Sequence, residues 1–146
     1  MNITDQICSF IFAKRLKKLG VKQDSLFYRF DHGDFQYIFC KEYEQYSQHV
    51  NLNIEDGFSA FTVGELGEIL PGIINRGDIR FNLQFYKLQG NAQGTYYWEG
   101  QYYDGNTDIV LHSAFNHFFI ADESEVNCRA KMLIYLLENK LMELPK

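Results

Sequence analysis

Apolar positions along the chain alternate between a helical and a strand-like period, and the switches mark the elements. From Thr4 to Leu19 the apolar side chains Ile7, Phe10, Ile11, Phe12, Leu16 and Leu19 recur at helical spacing. Thr4 offers an N-cap, Asp5 an acid for the first turn, and Gly20 a terminator, so the spacing predicts a helix over this stretch. Leu26 to Phe30 and Phe35 to Cys40 are aromatic and β-branched runs around Asp31-His32-Gly33-Asp34, the turn chemistry of a hairpin. Lys41 to Gln48 is polar with interspersed tyrosines and reads as loop, and Val50 to Ile54 reads as a short strand.

Thr62-Val63-Gly64-Glu65 is a capping box, in which the Thr62 hydroxyl accepts from the Glu65 amide while the Glu65 carboxylate reaches back. Val63, Leu66, Ile69 and Leu70 line one face of the helix that follows, and Pro71-Gly72 stops it. Ile79 to Leu88, Thr95 to Tyr103 and Ile109 to about Ile120 are then separated by turns at Gly90–Gly94 and Asp104-Gly105-Asn106. That pattern predicts a three-strand antiparallel meander. Asp122 and Ser124 are both N-cap residues for a closing helix to about Met142, striped by Val126, Ala130, Leu133, Leu137 and Leu141. The predicted order is α-ββ-α-βββ-α. This is one α+β domain over residues 1–146, with three helices on an antiparallel sheet of about five strands.

Length and composition agree with a single domain: 146 residues, 46% apolar and 23% charged, are enough for a core without metal or disulfide support. An aromatic content of 16% excludes a disordered chain. The three cysteines, Cys8, Cys40 and Cys128, are an odd number without a CxxC pair, so neither a disulfide framework nor a zinc site is indicated. Cys8 and Cys128 fall within helical apolar patterns and are expected to pack as small hydrophobes. No apolar run approaches the length of a membrane span, and the basic cluster follows the first apolar stretch instead of preceding it, unlike a signal peptide. The expectation is a cytoplasmic protein.

Charge is unevenly spread. Lys14, Arg15, Lys17, Lys18 and Lys22 stand against Asp5 alone in residues 1–22, an excess of +4; with a chain total of −5, residues 23–146 carry −9. The cations lie in the last turns of the first predicted helix, where they complement the macrodipole. An acidic domain with one basic helix end makes nucleic acid an unlikely partner, leaving a weak nucleic-acid regulator as a third alternative only.

The segments Lys18-Leu-Gly-Val-Lys-Gln-Asp-Ser25, Phe58-Ser-Ala-Phe-Thr-Val-Gly-Glu-Leu-Gly-Glu-Ile-Leu-Pro71 and Arg129-Ala-Lys-Met-Leu-Ile-Tyr-Leu-Leu-Glu-Asn-Lys140 together resemble a group of small proteins of tailed phages and of prophage-like or other mobile regions of bacterial genomes. The likeness touches the beginning, middle and end of the chain. It implies a bacterial or phage cytoplasm and brings no activity, cofactor or catalytic residue with it.

Motifs for catalysis are weak throughout. Asp104, Asn106 and Asp108 match the first ligand positions of a calcium loop, but Ile109 stands where glycine is required and Phe115 where the bidentate glutamate belongs. His32, His49, His112 and His117 show no ligand spacing; on an unbroken strand His112 and His117 point to opposite faces. Cys40 and His49 are the one Cys/His pair close in sequence, and no Gly-x-Ser-x-Gly elbow occurs. Gly64-Glu65-Leu66-Gly67 lacks the Walker ending, and its glycines fit close packing of the helix on the sheet. No cofactor or metal is predicted.

The most distinctive feature is aromatic. Tyr96, Trp98 and Tyr102 share one face of the predicted strand, and Tyr97 and Tyr103 the other. One set belongs to the core, while the other forms a recognition surface of large side chains with polar handles. Residues 88–112 contain no Lys or Arg but do contain Glu99, Asp104 and Asp108, which favours a protein partner or a neutral ligand over nucleic acid. The sequence thus reads as a non-catalytic binding module. The alternative is a small-ligand binder or enzyme with a pocket between sheet and helix, using His112 or Cys40. An uncovered sheet face or edge also leaves homo-oligomerisation open.

Overall fold

The first helix starts later than its apolar spacing predicts. In the computed structural model, which describes residues 3–32, 35–43, 57–90, 95–104 and 120–144, Ile3–Asp5 is a single 3-10 turn and α1 spans Phe10–Lys18. Between them the chain is extended: Ile7 bridges to Thr62, and the Cys8 amide donates to the Phe61 carbonyl at 2.9 Å. Ile7 and Cys8 are fully buried, so their apolar character is core packing without helix. Cys8 therefore lies outside the helix expected to contain it, and the N-cap is Ser9 instead of Thr4. The Ser9 amide, free at the helix start, donates to Asn127 Oδ1 at 2.9 Å. At the other end Gly20 adopts φ +83°, which favours glycine, and closes the helix.

Two antiparallel sheets follow. β1 (Phe27–His32) and β2 (Phe35–Cys40) form the expected hairpin, in register from Phe27↔Cys40 to His32↔Phe35; its tip, Gly33-Asp34, lies outside the described residues. β3 (Phe58–Ser59) joins the free edge of β1, giving the order β2-β1-β3. Lys41–Tyr43 is a 3-10 turn, and the expected strand Val50–Ile54 lies outside the described residues. The second sheet has the order β4-β5-β6-β7, with β4 Ile73–Arg76, β5 Ile79–Gln89, β6 Tyr96–Tyr103 and β7 Ile120–Asp122. The class is α+β, with the strands divided between two sheets where the periodicity predicts one. β3 and β4 are additional strands. β4 turns into β5 through Gly77, at φ +59°, and Asp78.

α2 (Val63–Ile69) has the full capping box: Glu65 N to Thr62 Oγ1 at 3.2 Å, and Thr62 N to Glu65 Oε2 at 2.7 Å. The same carboxylate accepts from the Leu26 amide at 2.8 Å and the Ser25 hydroxyl at 3.0 Å. One side chain thus joins the start of α2 to the entry of β1.

The closing helix, α3, spans Glu125–Glu138 with Ser124 at the N-cap. β7 continues two residues past the predicted strand end, so Asp122 belongs to the strand; its carboxylate accepts from Ser124 N at 2.9 Å and pairs with Lys131 Nζ at 2.7 Å. α3 stops at Glu138, short of Met142, because Asn139 caps it and Lys140 turns to φ +55°.

Leu16, Leu66, Val126, Leu133 and Leu136 from the helices, with Phe61 from the link between β3 and α2, pack with Phe81, Tyr102 and Ile120 from the four-stranded sheet. Each such fully buried side chain contributes about 1.5–3 kcal/mol relative to exposure. A second device ties the layers together. The Phe85 ring folds over Gly100, its cross-strand partner, where a Cβ would collide with the ring. On its other side Arg129 sits with Cζ 4.4 Å from the ring centroid, its Nε and Nη2 donating to Glu125 at 3.0 and 2.7 Å. Gly67 lies next, where a Cβ would stand 3.4 Å from Arg129 Nη1. Gly67 therefore admits an α3 side chain, and the close approach is helix to helix.

Candidate functional site

The pleat of β6 sorts its five aromatic side chains. Tyr96, Trp98 and Tyr102 lie on the side of the helices, and Tyr97 and Tyr103 on the outer side. Tyr102 is only 3% exposed, and its hydroxyl donates to the Pro71 carbonyl at 2.6 Å. Burial pushes its ionisation well above the ordinary tyrosine range. Tyr102 is thus a core residue holding the end of α2, and it leaves the expected binding set. Trp98 is half-buried against the core, while Tyr96 is 52% exposed with Lys87 Nζ 4.8 Å from its ring centroid.

On the outer face the register sets Tyr103 opposite Asn82, Gln101 opposite Gln84, Glu99 opposite Tyr86 and Tyr97 opposite Leu88. Tyr86 completes a triad of tyrosines that the sequence reading did not assemble. Its hydroxyl donates to Glu99 Oε1 at 3.1 Å, and Glu99 is 7% exposed. Burial, then the Glu99 charge and hydrogen bond, with Tyr97 adding last, push the Tyr86 phenol up to about 12. Glu99 is the one charge within these four cross-strand pairs. The alternate side chains (Phe81, Leu83, Phe85, Trp98 and Tyr102) pack with the helical core.

The inner side holds a cleft of about 650 Å³ between the N-termini of α2 and α3. Trp98 contributes to its wall together with Thr62, Gly64, Ser124 and Asn127, and Asp5, Glu123 and Glu125 are its acidic members. A shallower hollow of about 310 Å³ lies between α1 and α3, lined by Phe12, Ile134, Tyr135 and Lys131 among others.

The remaining expected residues are scattered. Cys40 is half-buried at the end of β2, and His32 closes β1 instead of lying in the turn. Asp104 is buried directly after β6. His49, Asn106, Asp108, His112 and His117 lie outside the described residues. Cys8 and Cys128 are buried, and desolvation pushes both thiols up to about 12; Cys128 Sγ also donates to the Ile120 carbonyl at 3.2 Å. No group of three metal-ligating side chains occurs among the described residues, and no described helix is long and apolar enough to cross a membrane. Two cations at the basic end of α1, Arg15 and Lys17, are engaged within the fold, and Lys22 beyond it pairs at the surface. Arg15 Nε donates to Glu138 at 2.6 Å, Lys17 Nζ donates to the Gly57 carbonyl at 2.8 Å, and Lys22 pairs with Asp24 at 3.4 Å. Comparison of the chain with protein-family models, curated proteins and solved structures finds no match.

Proposed function

We propose that the protein is a non-catalytic interaction module of phage or mobile-element origin, acting in the bacterial cytoplasm, and that it binds a protein partner through the outer face of β5 and β6. The observation that carries this reading is the composition of the four cross-strand pairs from Asn82↔Tyr103 to Leu88↔Tyr97: Tyr86, Tyr97 and Tyr103 among amide side chains, with Glu99 as their one charge and Arg80 beyond them at the end of the same face. Glu99 already accepts a hydrogen bond from Tyr86, so a partner need not neutralise it. Tyrosines offer large contact area with few rotatable bonds, and the amides satisfy polar groups that docking would otherwise strand. The absence of Lys and Arg from these four pairs argues against a phosphate backbone as the partner.

The test is the double substitution Tyr97→Ser/Tyr103→Ser, compared with the parent in nuclease-treated capture from bacterial lysate and in thermal melts. The expected result is loss of a stoichiometric protein partner with the melting temperature nearly unchanged. A large fall in melting temperature with the partner retained would assign both tyrosines to packing.

A second reading rests on the cleft beside Trp98, whose volume of about 650 Å³ suits a small ligand. The single tryptophan reports directly on it. Saturable quenching of its emission by a metabolite, together with a metabolite-induced rise in melting temperature that Trp98→Phe abolishes, favours that reading; silence across a metabolite panel removes it.

A further inference from the structure

Arg29 lies on β1, the central strand of the three-stranded sheet, and shares its face with its cross-strand neighbours Ile38 and Phe58. That face is covered by α1: the Phe58 ring meets Phe10 edge-on at 5.2 Å, and Lys17 Nζ sits 5.0 Å from the Phe58 centroid. Arg29 is 91% buried, with 9% of its surface exposed. A guanidinium so placed is normally held by a carboxylate or by several carbonyls, because an unpaired buried charge is costly. Here no hydrogen bond or ion pair reaches it among the described residues, and its Nε is sequestered without a partner. Burial lowers the Arg29 pKa by desolvation, and among the described residues the Cys8 thiol opposes that shift.

We propose that Arg29 is a binding site for a small oxyanion of the phosphate or carboxylate class, which reaches the guanidinium through its remaining solvent opening. The chemistry follows from the side chain. Guanidinium donors pair planar or tetrahedral oxyanions with two parallel, charge-assisted hydrogen bonds. Among the described residues of β1 the opposing charge is Asp31, two residues along on the same face and exposed. The site is on the other sheet from the tyrosine face, so it stands or falls separately from the proposed partner surface.

The experiment titrates the intact protein with inorganic phosphate, and separately with acetate, at constant ionic strength. It follows the Arg29 Nε–H resonance and the melting temperature. Expected are a saturable shift of that resonance and, at about ten times the dissociation constant, a rise in melting temperature of roughly 4 °C. A response to phosphate alone assigns a phosphate, and a response to acetate alone assigns a carboxylate. Arg29→Met removes both signals. Asp31→Asn, an exposed change that leaves folding intact, tightens binding about two- to threefold by removing a like charge roughly 7 Å away. No saturable response to either anion overturns the proposal. So does saturable binding whose affinity is unchanged in Asp31→Asn, because that anion is bound elsewhere.

Discussion

Replacing Glu65 by Ala removes more than a helix cap. In an ordinary capping box, loss of one partner costs about 1 kcal/mol. Glu65 here accepts three hydrogen bonds, from Thr62 N, Leu26 N and Ser25 Oγ, at 2.7, 2.8 and 3.0 Å. A bond to a charged acceptor contributes about 1.5–3 kcal/mol, and two of the three donors have other recourse. Water replaces the carboxylate at the exposed Leu26 amide, and Ser25 keeps the Ala60 carbonyl at 3.4 Å. The loss for Glu65→Ala is therefore about 2–4 kcal/mol, against about 1 kcal/mol for Thr62→Ala. Glu65→Gln falls between them, because its amide keeps one acceptor oxygen but turns an NH2 toward a donor. Urea unfolding followed by emission of the single tryptophan measures all three, with unchanged slopes verifying two-state behaviour. A Glu65→Ala loss no larger than that of Thr62→Ala would refute the argument, because it would mean that the bridge to β1 contributes nothing.

Three further outcomes follow from the geometry. Gly100→Ala drives a methyl into the Phe85 ring and is expected to cost about 1–3 kcal/mol, largely recovered in Gly100→Ala/Phe85→Leu; additive losses in the double variant would contradict the stacking account. Tyr86 ionises near 12 when folded against an ordinary value of 10, so its contribution to stability is complete below pH 10 and is lost as pH rises through 10 toward 12. Phenolate absorbance should show that late-titrating group vanish in Tyr86→Phe and move down in Glu99→Gln; an unmoved titration in Glu99→Gln would exclude the carboxylate as a cause. Because Cys8 and Cys128 are buried with thiols near 12, a thiol reagent at neutral pH should modify at most Cys40 in the native protein and all three cysteines in denaturant. Rapid native modification of Cys128 would contradict its burial.

The parts legible in the sequence are those whose signal is local. Thr62, Glu65 and Pro71 write the start and stop of α2 within ten residues, and β5 and β6 announce themselves by long aromatic runs. The start of α1 is not legible, because Ile7 and Cys8 sit at helical spacing while their backbone is claimed by Phe61 and Thr62, far along the chain. Tertiary pairing overrode the local period. β4 carries two apolar residues in four, too short a run to show alternation, although Gly77-Asp78 before Ile79 is a hairpin signal that could have revealed it. Tyr86 was within reach by the same route, since the register of β5 on β6 sets it beside Glu99 and Tyr97. The removal of Tyr102 from the surface was not legible, because it depends on which face the helices choose. The isolation of Arg29 was not legible either: an arginine in a strand gives no sign that its charge will be left without a partner.

The seam between α1 and α3 has a consequence for how the chain is made. Ser9 bonds to Asn127 across 118 residues, and Arg15 bonds to Glu138 across 123. Synthesis runs from the N-terminus, so α1 emerges long before α3; Phe58 can cover its sheet side early, and the side facing α3 stays open until α3 is made. Contacts of such separation also slow folding, because the intervening loop must close before they form. The second sheet, by contrast, is built from neighbours and is ready earlier. A nascent chain halted after β6 therefore leaves the α3-facing side of α1 open to protease, and the emergence of α3 is the event that shields it.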